Sequence, residues 1–86
     1  MNHKIEWKIK AVKQLLKIPQ QDIKRIKDAV SSLEKDESTW RNVRKLVNHQ
    51  YSHRLRAGNY RVLFNSADTV VILTIEEVKK RDERTY

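Results

Sequence analysis

Cysteine is absent from the 86 residues, which excludes disulfides and thiolate metal sites and makes a reducing compartment a suitable home. Glycine and proline occur once each, too little punctuation for a disordered or low-complexity chain. Long apolar runs are missing as well, and none approaches the ~20 residues of a membrane span. The opening MNHKIEWKIK sets polar residues at alternate positions and has no apolar signal-peptide centre. A cytoplasmic protein without a membrane partner is the expectation. The three histidines, His3, His49 and His53, are scattered and have no carboxylate cluster beside them. No metal site is therefore expected. A phosphate-cradling glycine loop and the signatures of serine or cysteine triads are also missing, and no small-molecule cofactor is expected.

What is present is positive charge. Lys and Arg number 19 against 11 acids, a formal charge of +8. Its distribution carries more information than the total. From Arg41 to Phe64 there are six basic residues (Arg41, Arg44, Lys45, Arg54, Arg56, Arg61) and no acid. Lysine dominates the first forty residues, whereas seven of the eight arginines follow them. Lysine on a helix surface is ordinarily solvated decoration. Clustered arginine presents planar forks that suit phosphate. A polyanionic partner is expected, with nucleic acid ahead of a membrane surface.

The length allows one domain, residues 1–86, with a modest core. His3 to Ile9 alternates, with Ile5, Trp7 and Ile9 on one side, and reads as a short strand. Val12, Leu15 and Leu16 follow helical spacing up to Pro19, which fits the first turn of a second helix. Ile23, Ile26, Val30 and Leu33 mark the buried stripe of that helix. Glu34–Thr39 is a loop, and Trp40 to Val47 a connector with a helical turn carrying Val43, Leu46 and Val47. The period then changes to two: Tyr51, His53 and Leu55 point one way and Ser52, Arg54 and Arg56 the other. Ala57–Asn59, around the sole glycine, makes a hairpin turn into Tyr60, Val62 and Phe64. After a second turn, Thr69–Ile75 is a β-branched run that reads as a central strand. The expected fold is α+β in the order β-α-α-β-β-β: an antiparallel sheet with a helical hairpin packed on one face.

Function would then sit on the open face. Ser52, Arg54, Arg56 and Arg61 share parity or lie across one hairpin, and the last strand delivers Arg81 to the same surface. Cleavage of RNA by its own 2′-hydroxyl needs a base, positive donors for the crowded phosphorane, and an acid for the leaving 5′-oxygen. Arginine suits the second role and is poor at proton transfer. Tyr86 becomes a base if guanidinium groups lower its pKa, and His53 or His49 offers an alternative.

These residues resemble a known family. YSHRLRAGNYRVLF (Tyr51–Phe64) followed by VVILTIEEVKKRDERTY (Val70–Tyr86) is similar to the RelE branch of the RelE/ParE toxin superfamily. The likeness in element order extends over nearly the whole chain. The resemblance implies a RelE-like fold and the toxin of a type II toxin–antitoxin system. Its activity would be that of a ribosome-dependent mRNA endonuclease, cutting in the ribosomal A site by 2′-hydroxyl attack. Its partners would be a cognate antitoxin, mRNA and the ribosome with its ribosomal RNA. It implies that Arg61 stabilises the transition-state phosphate, that Arg81 protonates or stabilises the leaving group, and that Tyr86 stacks on or orients the nucleotide. Arg54 stands where the family often has a basic residue on the active-site strand. Ser52 departs from the pattern, standing where a lysine is common, so the usual candidate base is missing.

Plainer readings stand beside these. Arg56, Lys79, Lys80 and Arg84 are expected to contact phosphate in RNA or the ribosome, and Ser52 and His53 are counted with them. The parity of His53 beside Leu55 nevertheless favours a buried, hydrogen-bonded ring. Trp7 and Trp40 read as core, and Tyr60 as structural. Two rival functions share the same features: a non-enzymatic inhibitor of DNA gyrase within the same superfamily, and a plain RNA-binding module.

Overall fold

A computed structural model describes residues 3–67 and 72–81. The elements run β1 (Lys4–Trp7), α1 (Ile9–Leu16), α2 (Gln20–Ser31), β2 (Val43–Lys45), β3 (His53–Ala57), β4 (Tyr60–Ser66) and β5 (Ile72–Lys80). Two short 3-10 turns, Ser32–Glu34 and Glu37–Thr39, lie between α2 and β2. One sheet holds all five strands in the order β1-β5-β4-β3-β2. Neighbours are antiparallel except β1, which pairs parallel with β5. The α+β class and the antiparallel β3-β4-β5 meander agree with the alternation in the sequence; the sheet as a whole is mixed.

The core lies between the helices and one face of this sheet. Leu55, Val62, Phe64, Leu73, Ile75 and Val78 from the strands meet Ala11, Leu15, Ile26, Val30 and Leu33 from the helical side, all of them buried. Trp40 seals one end. Its indole N–H donates to the carbonyls of Leu33 (3.2 Å) and Lys35 (3.1 Å), and its ring sits edge-on to His53 and Phe64. That answers the polar demand of a large aromatic at a core boundary.

Three expectations change. The segment read as a connector with a helical turn is the edge strand β2, whose Val43 pairs with Leu55. Positive-φ Asn42 and Asn48 bracket it, and Asn is a residue that tolerates such turns. Ile9 does not extend β1 but starts α1, where it is 74% exposed. Within α1 it is Ala11 and Leu15 that face the sheet, while Leu16 stays exposed. The last strand begins at Ile72 among the described residues and continues to Lys80, so Lys79 and Lys80 are strand residues and not tail.

The free edge of β5 is closed economically. β1 ends at Trp7, and the N–H of Lys8 reaches the Ile75 carbonyl at 2.9 Å. Beyond that point α1 takes over: the Gln14 side-chain oxygen accepts from the Val78 N–H at 2.8 Å. A side-chain amide thus substitutes for the missing strand, and a buried N–H keeps its partner. No helix among the described residues is long and apolar enough to cross a membrane.

Candidate phosphate-binding face

Alternation along β3 and β4 generates the site. Leu55 and Ala57 are core residues, so Arg54 and Arg56 stand on the opposite face. Val62 and Phe64 are core residues, so Arg61, Leu63 and Asn65 oppose them. The register sets Arg56 directly across from Arg61, and Arg61 directly across from Lys79. Like charges placed opposite one another on a sheet are unfavourable. Arg44 of β2 adds another such pair, being the direct partner of Arg54.

Arg81 joins from the end of β5. The β3–β4 hairpin closes with a two-residue loop of Gly58 and Asn59, and Gly58 takes a φ of +59°. Both carbonyls of that loop are used. The Arg81 backbone N–H donates to Asn59 at 2.6 Å, and its guanidinium Nη1 donates to Gly58 at 3.1 Å. The turn therefore orients the arginine as well as reversing the chain. Arg54, Arg56, Arg61 and Arg81 together line a pocket of about 80 Å³. The Arg61 pKa falls below the ordinary arginine value, through burial first and then the repulsion of Arg54 and Arg81. Arginine titrates so high that its guanidinium stays charged at neutral pH.

Acidic and polar groups occupy the other end of the same face. The β4–β5 register shifts between Leu63 and Phe64: Leu63 pairs with Glu77 and Phe64 with Ile75, which leaves Glu76 as the extra residue of a bulge. Glu77 is buried yet has several partners. Tyr51 donates its hydroxyl to it at 2.5 Å, while Lys10 and Lys79 approach at 3.3 and 3.8 Å. Burial alone would raise the Glu77 pKa, but these donors together hold it below the usual value. The same hydrogen bond, with burial and the two nearby carboxylates, pushes the Tyr51 phenol up to about 12. Asn65 donates to Glu76 at 3.2 Å and accepts from the Ser52 N–H at 2.8 Å.

The expected site residues therefore separate. Arg54, Arg56, Arg61 and Arg81 are brought together. Ser52 is not with them: its hydroxyl bonds the Phe64 carbonyl, the Ser66 N–H and the His53 ring, joining β3 to β4. His53 lies on the core side, stacked on Phe64 with ring centroids 5.1 Å apart, and burial lowers its pKa. Lys79 leans toward Glu77, and Lys80 pairs with Tyr60 beside a larger cleft lined by Gln14, Lys17, Ile18 and Pro19. Tyr86 and Arg84 lie outside the described residues. Tyr51, expected on the core side with His53 and Leu55, instead precedes β3 and meets Glu77 on the open face.

The sequence reading missed the places of Arg44 and Asn42. They line an adjoining pocket of about 190 Å³ together with Val43, Arg54 and Arg56. Arg44 was visible in the acid-free basic stretch, but a helical turn gives it no defined face, whereas a strand does. Chemically, charged forks that line one small space are an arrangement that suits an anionic group. Among the described residues no group of three or more His, Cys, Asp or Glu could hold a metal ion.

No model of a known protein family matches the sequence, and no curated protein matches it either. Solved structures do match. The chain is similar to a chain of the archaeal RelE–RelB complex from Pyrococcus horikoshii OT3, with a TM-score of 0.79 and 23% identity over 96% of this chain and 99% of that one. It is similar to the toxin–antitoxin complex RelBE2 of Mycobacterium tuberculosis, with a TM-score of 0.77 and 19% identity over 94% of this chain and all of that one. The isolated RelE toxin of E. coli gives a TM-score of 0.73 and 15% identity over 96% and 88% of the two chains. The fold is that of the RelE structures.

Proposed function

We propose that this chain is a RelE-type toxin of a type II toxin–antitoxin system, acting as a ribosome-dependent mRNA endonuclease in the cytoplasm. The observation that carries the reading is the convergence of Arg54, Arg61 and Arg81 in one pocket of a RelE fold. In the proposed reaction the 2′-hydroxyl of the message attacks the adjacent phosphorus and the bond to the 5′-oxygen breaks. Charge develops on the phosphorane oxygens, where Arg61 and Arg54 donate. Arg81, steadied by the hairpin carbonyls, faces the leaving oxygen. Its guanidinium stabilises charge better than it moves protons, so a group outside the pocket lining takes the hydroxyl proton and water protonates the departing 5′-oxygen. Tyr86 is our candidate for stacking on the nucleotide and for that proton.

Two of the structural neighbours above are complexes of RelE with RelB, and the partner we propose here is a cognate antitoxin. A segment rich in acidic residues suits the basic face and would compete with RNA for it. The test is primer extension on a translated message after brief expression, comparing the native chain with Arg61→Ala. Removing one pre-placed donor of this kind costs about 100- to 1,000-fold in rate. Codon-internal cuts that vanish in a well-folded Arg61→Ala chain are expected. Unchanged cutting by that variant would overturn the role of Arg61. Inhibition of gyrase supercoiling with no cuts would replace the nuclease reading with the binding one.

A further inference from the structure

The four-arginine pocket is half of a longer groove. Arg54 and Arg56 line it and also line the neighbouring pocket, whose remaining walls are Asn42, Val43 and Arg44. The second pocket is the larger, about 190 Å³ against about 80 Å³. From Arg61 on β4 to Arg44 on β2 is two strand steps across and two residues along, roughly 12 Å at the usual strand spacings. A groove of that length, with a pocket at each end, has room for two phosphates of one strand.

The local structure supports a built anion site and not scattered surface charge. Arg44 is the direct cross-strand partner of Arg54, and Arg56 that of Arg61, so the sheet sets like charges opposite each other twice. The ion pairs of the described residues involve Lys10, Lys24, Lys79 and His3, and none of them relieves Arg44, Arg54 or Arg56. Asn42 takes a left-handed φ of 61°, and its carbonyl accepts from the Arg56 N–H at 2.9 Å. That contact fixes the start of β2 against β3, and Asn42 is one of the residues lining the second pocket.

We infer that Asn42, Arg44, Arg54 and Arg56 form a second phosphate subsite, which holds a phosphate flanking the one in the four-arginine pocket. The ligand is a single-stranded nucleic acid backbone with at least two phosphodiesters. This rests on the proposal that the open face binds RNA, and it adds a direction: the strand crosses β4, β3 and β2 in turn. Arg44 binds and positions; it does not touch the reacting phosphate.

The test uses the full chain and two probes that cannot be cut. One is a 2′-deoxy hexanucleotide, followed by fluorescence anisotropy across a salt series. The other is a 2′-deoxy dinucleoside monophosphate with a single phosphodiester, followed by NMR titration into the millimolar range. Arg44→Ala should weaken the hexanucleotide about 5- to 10-fold and lower its log K against log salt slope by about 0.7, the value of one single-strand phosphate contact. Binding of the dinucleotide should stay within twofold of the native chain. Arg61→Ala should weaken both probes. An unchanged hexanucleotide slope in Arg44→Ala, or equal loss on both probes, would overturn the subsite. If the slope falls as expected while the native chain cuts no message, the subsite stands and the nuclease reading falls. If the native chain cuts message while the slope is unchanged, the reverse holds.

Discussion

The two faces of the sheet come from the same alternation in β3 and β4, yet they obey opposite rules. On the helical face Leu55, Val62 and Phe64 bury completely or nearly so and gain from every neighbour. On the other face Arg54, Arg56 and Arg61 stand beside one another at a cost, and burial and mutual repulsion lower the Arg61 pKa. One face stabilises the fold and the other stores unfavourable charge that a phosphate would relieve. The lesson is that one sheet can draw its stability from its helical side and carry close like charges on the other.

The largest effect expected of this contrast concerns the core. Phe64 is fully buried, stacks on His53 and takes the edge of Trp40. Truncating a buried aromatic leaves a cavity as well as lost transfer energy, about 3–5 kcal/mol for Phe→Ala. Urea denaturation of Phe64→Ala should show a loss of that size, a large share of a small domain's stability. A loss below about 1 kcal/mol would mean that the helical face is not the main source of stability.

Between the two extremes lies the Tyr51–Glu77 pair, polar but buried, on the arginine side of the sheet. A hydrogen bond to a charged partner contributes about 1.5–3 kcal/mol. Its pH dependence has two limbs of opposite sign. Tyr51 has a folded pKa of about 12 against 10.0 unfolded, so its contribution is complete below pH 10 and is lost as pH rises through 12. Glu77 has a folded pKa below 4.5, so its contribution is complete above that value and is lost as pH falls through the folded pKa. Chemical denaturation of Tyr51→Phe across pH 8–12 should remove most of the alkaline decline seen in the native chain. A decline that survives the substitution would show that Tyr51 is not its source.

The sequence showed the contrast between faces more clearly than its details. Period-two spacing placed Arg54, Arg56 and Arg61 against Leu55, Val62 and Phe64, because strand alternation is local and needs no partner to read. Arg81 was legible through the run of the last strand. The carbonyls of Gly58 and Asn59 that orient it were not, since they meet it only after the hairpin has folded. The face of Glu77 was hidden by the bulge at Glu76, which moves a residue to the other side without any change in composition. That of Tyr51 was hidden by its place before β3, where the alternation no longer holds. β2 was hidden for another reason. Three residues bracketed by Asn42 and Asn48 form a strand only because β3 offers an edge, and no local propensity announces that. Arg44 was lost with it.

The smallest expected effect separates the faces most sharply, because its sign reverses. Arg56 is exposed, faces Arg61 directly, and has no carboxylate among the ion pairs of the described residues. Opposed like charges on a sheet cost roughly 0.2–1 kcal/mol. Arg56→Ala should therefore raise stability by a few tenths of a kcal/mol in low salt, and screening should shrink the gain as salt rises. The same variant should weaken oligonucleotide binding, since Arg56 lines both pockets. Gain in one measurement and loss in the other is what a surface held ready for phosphate predicts. A variant that loses stability would show instead that the aliphatic stem of Arg56 packs on the sheet more than its charge repels. In that case the arginine face would be partly structural, and the contrast between the faces correspondingly weaker.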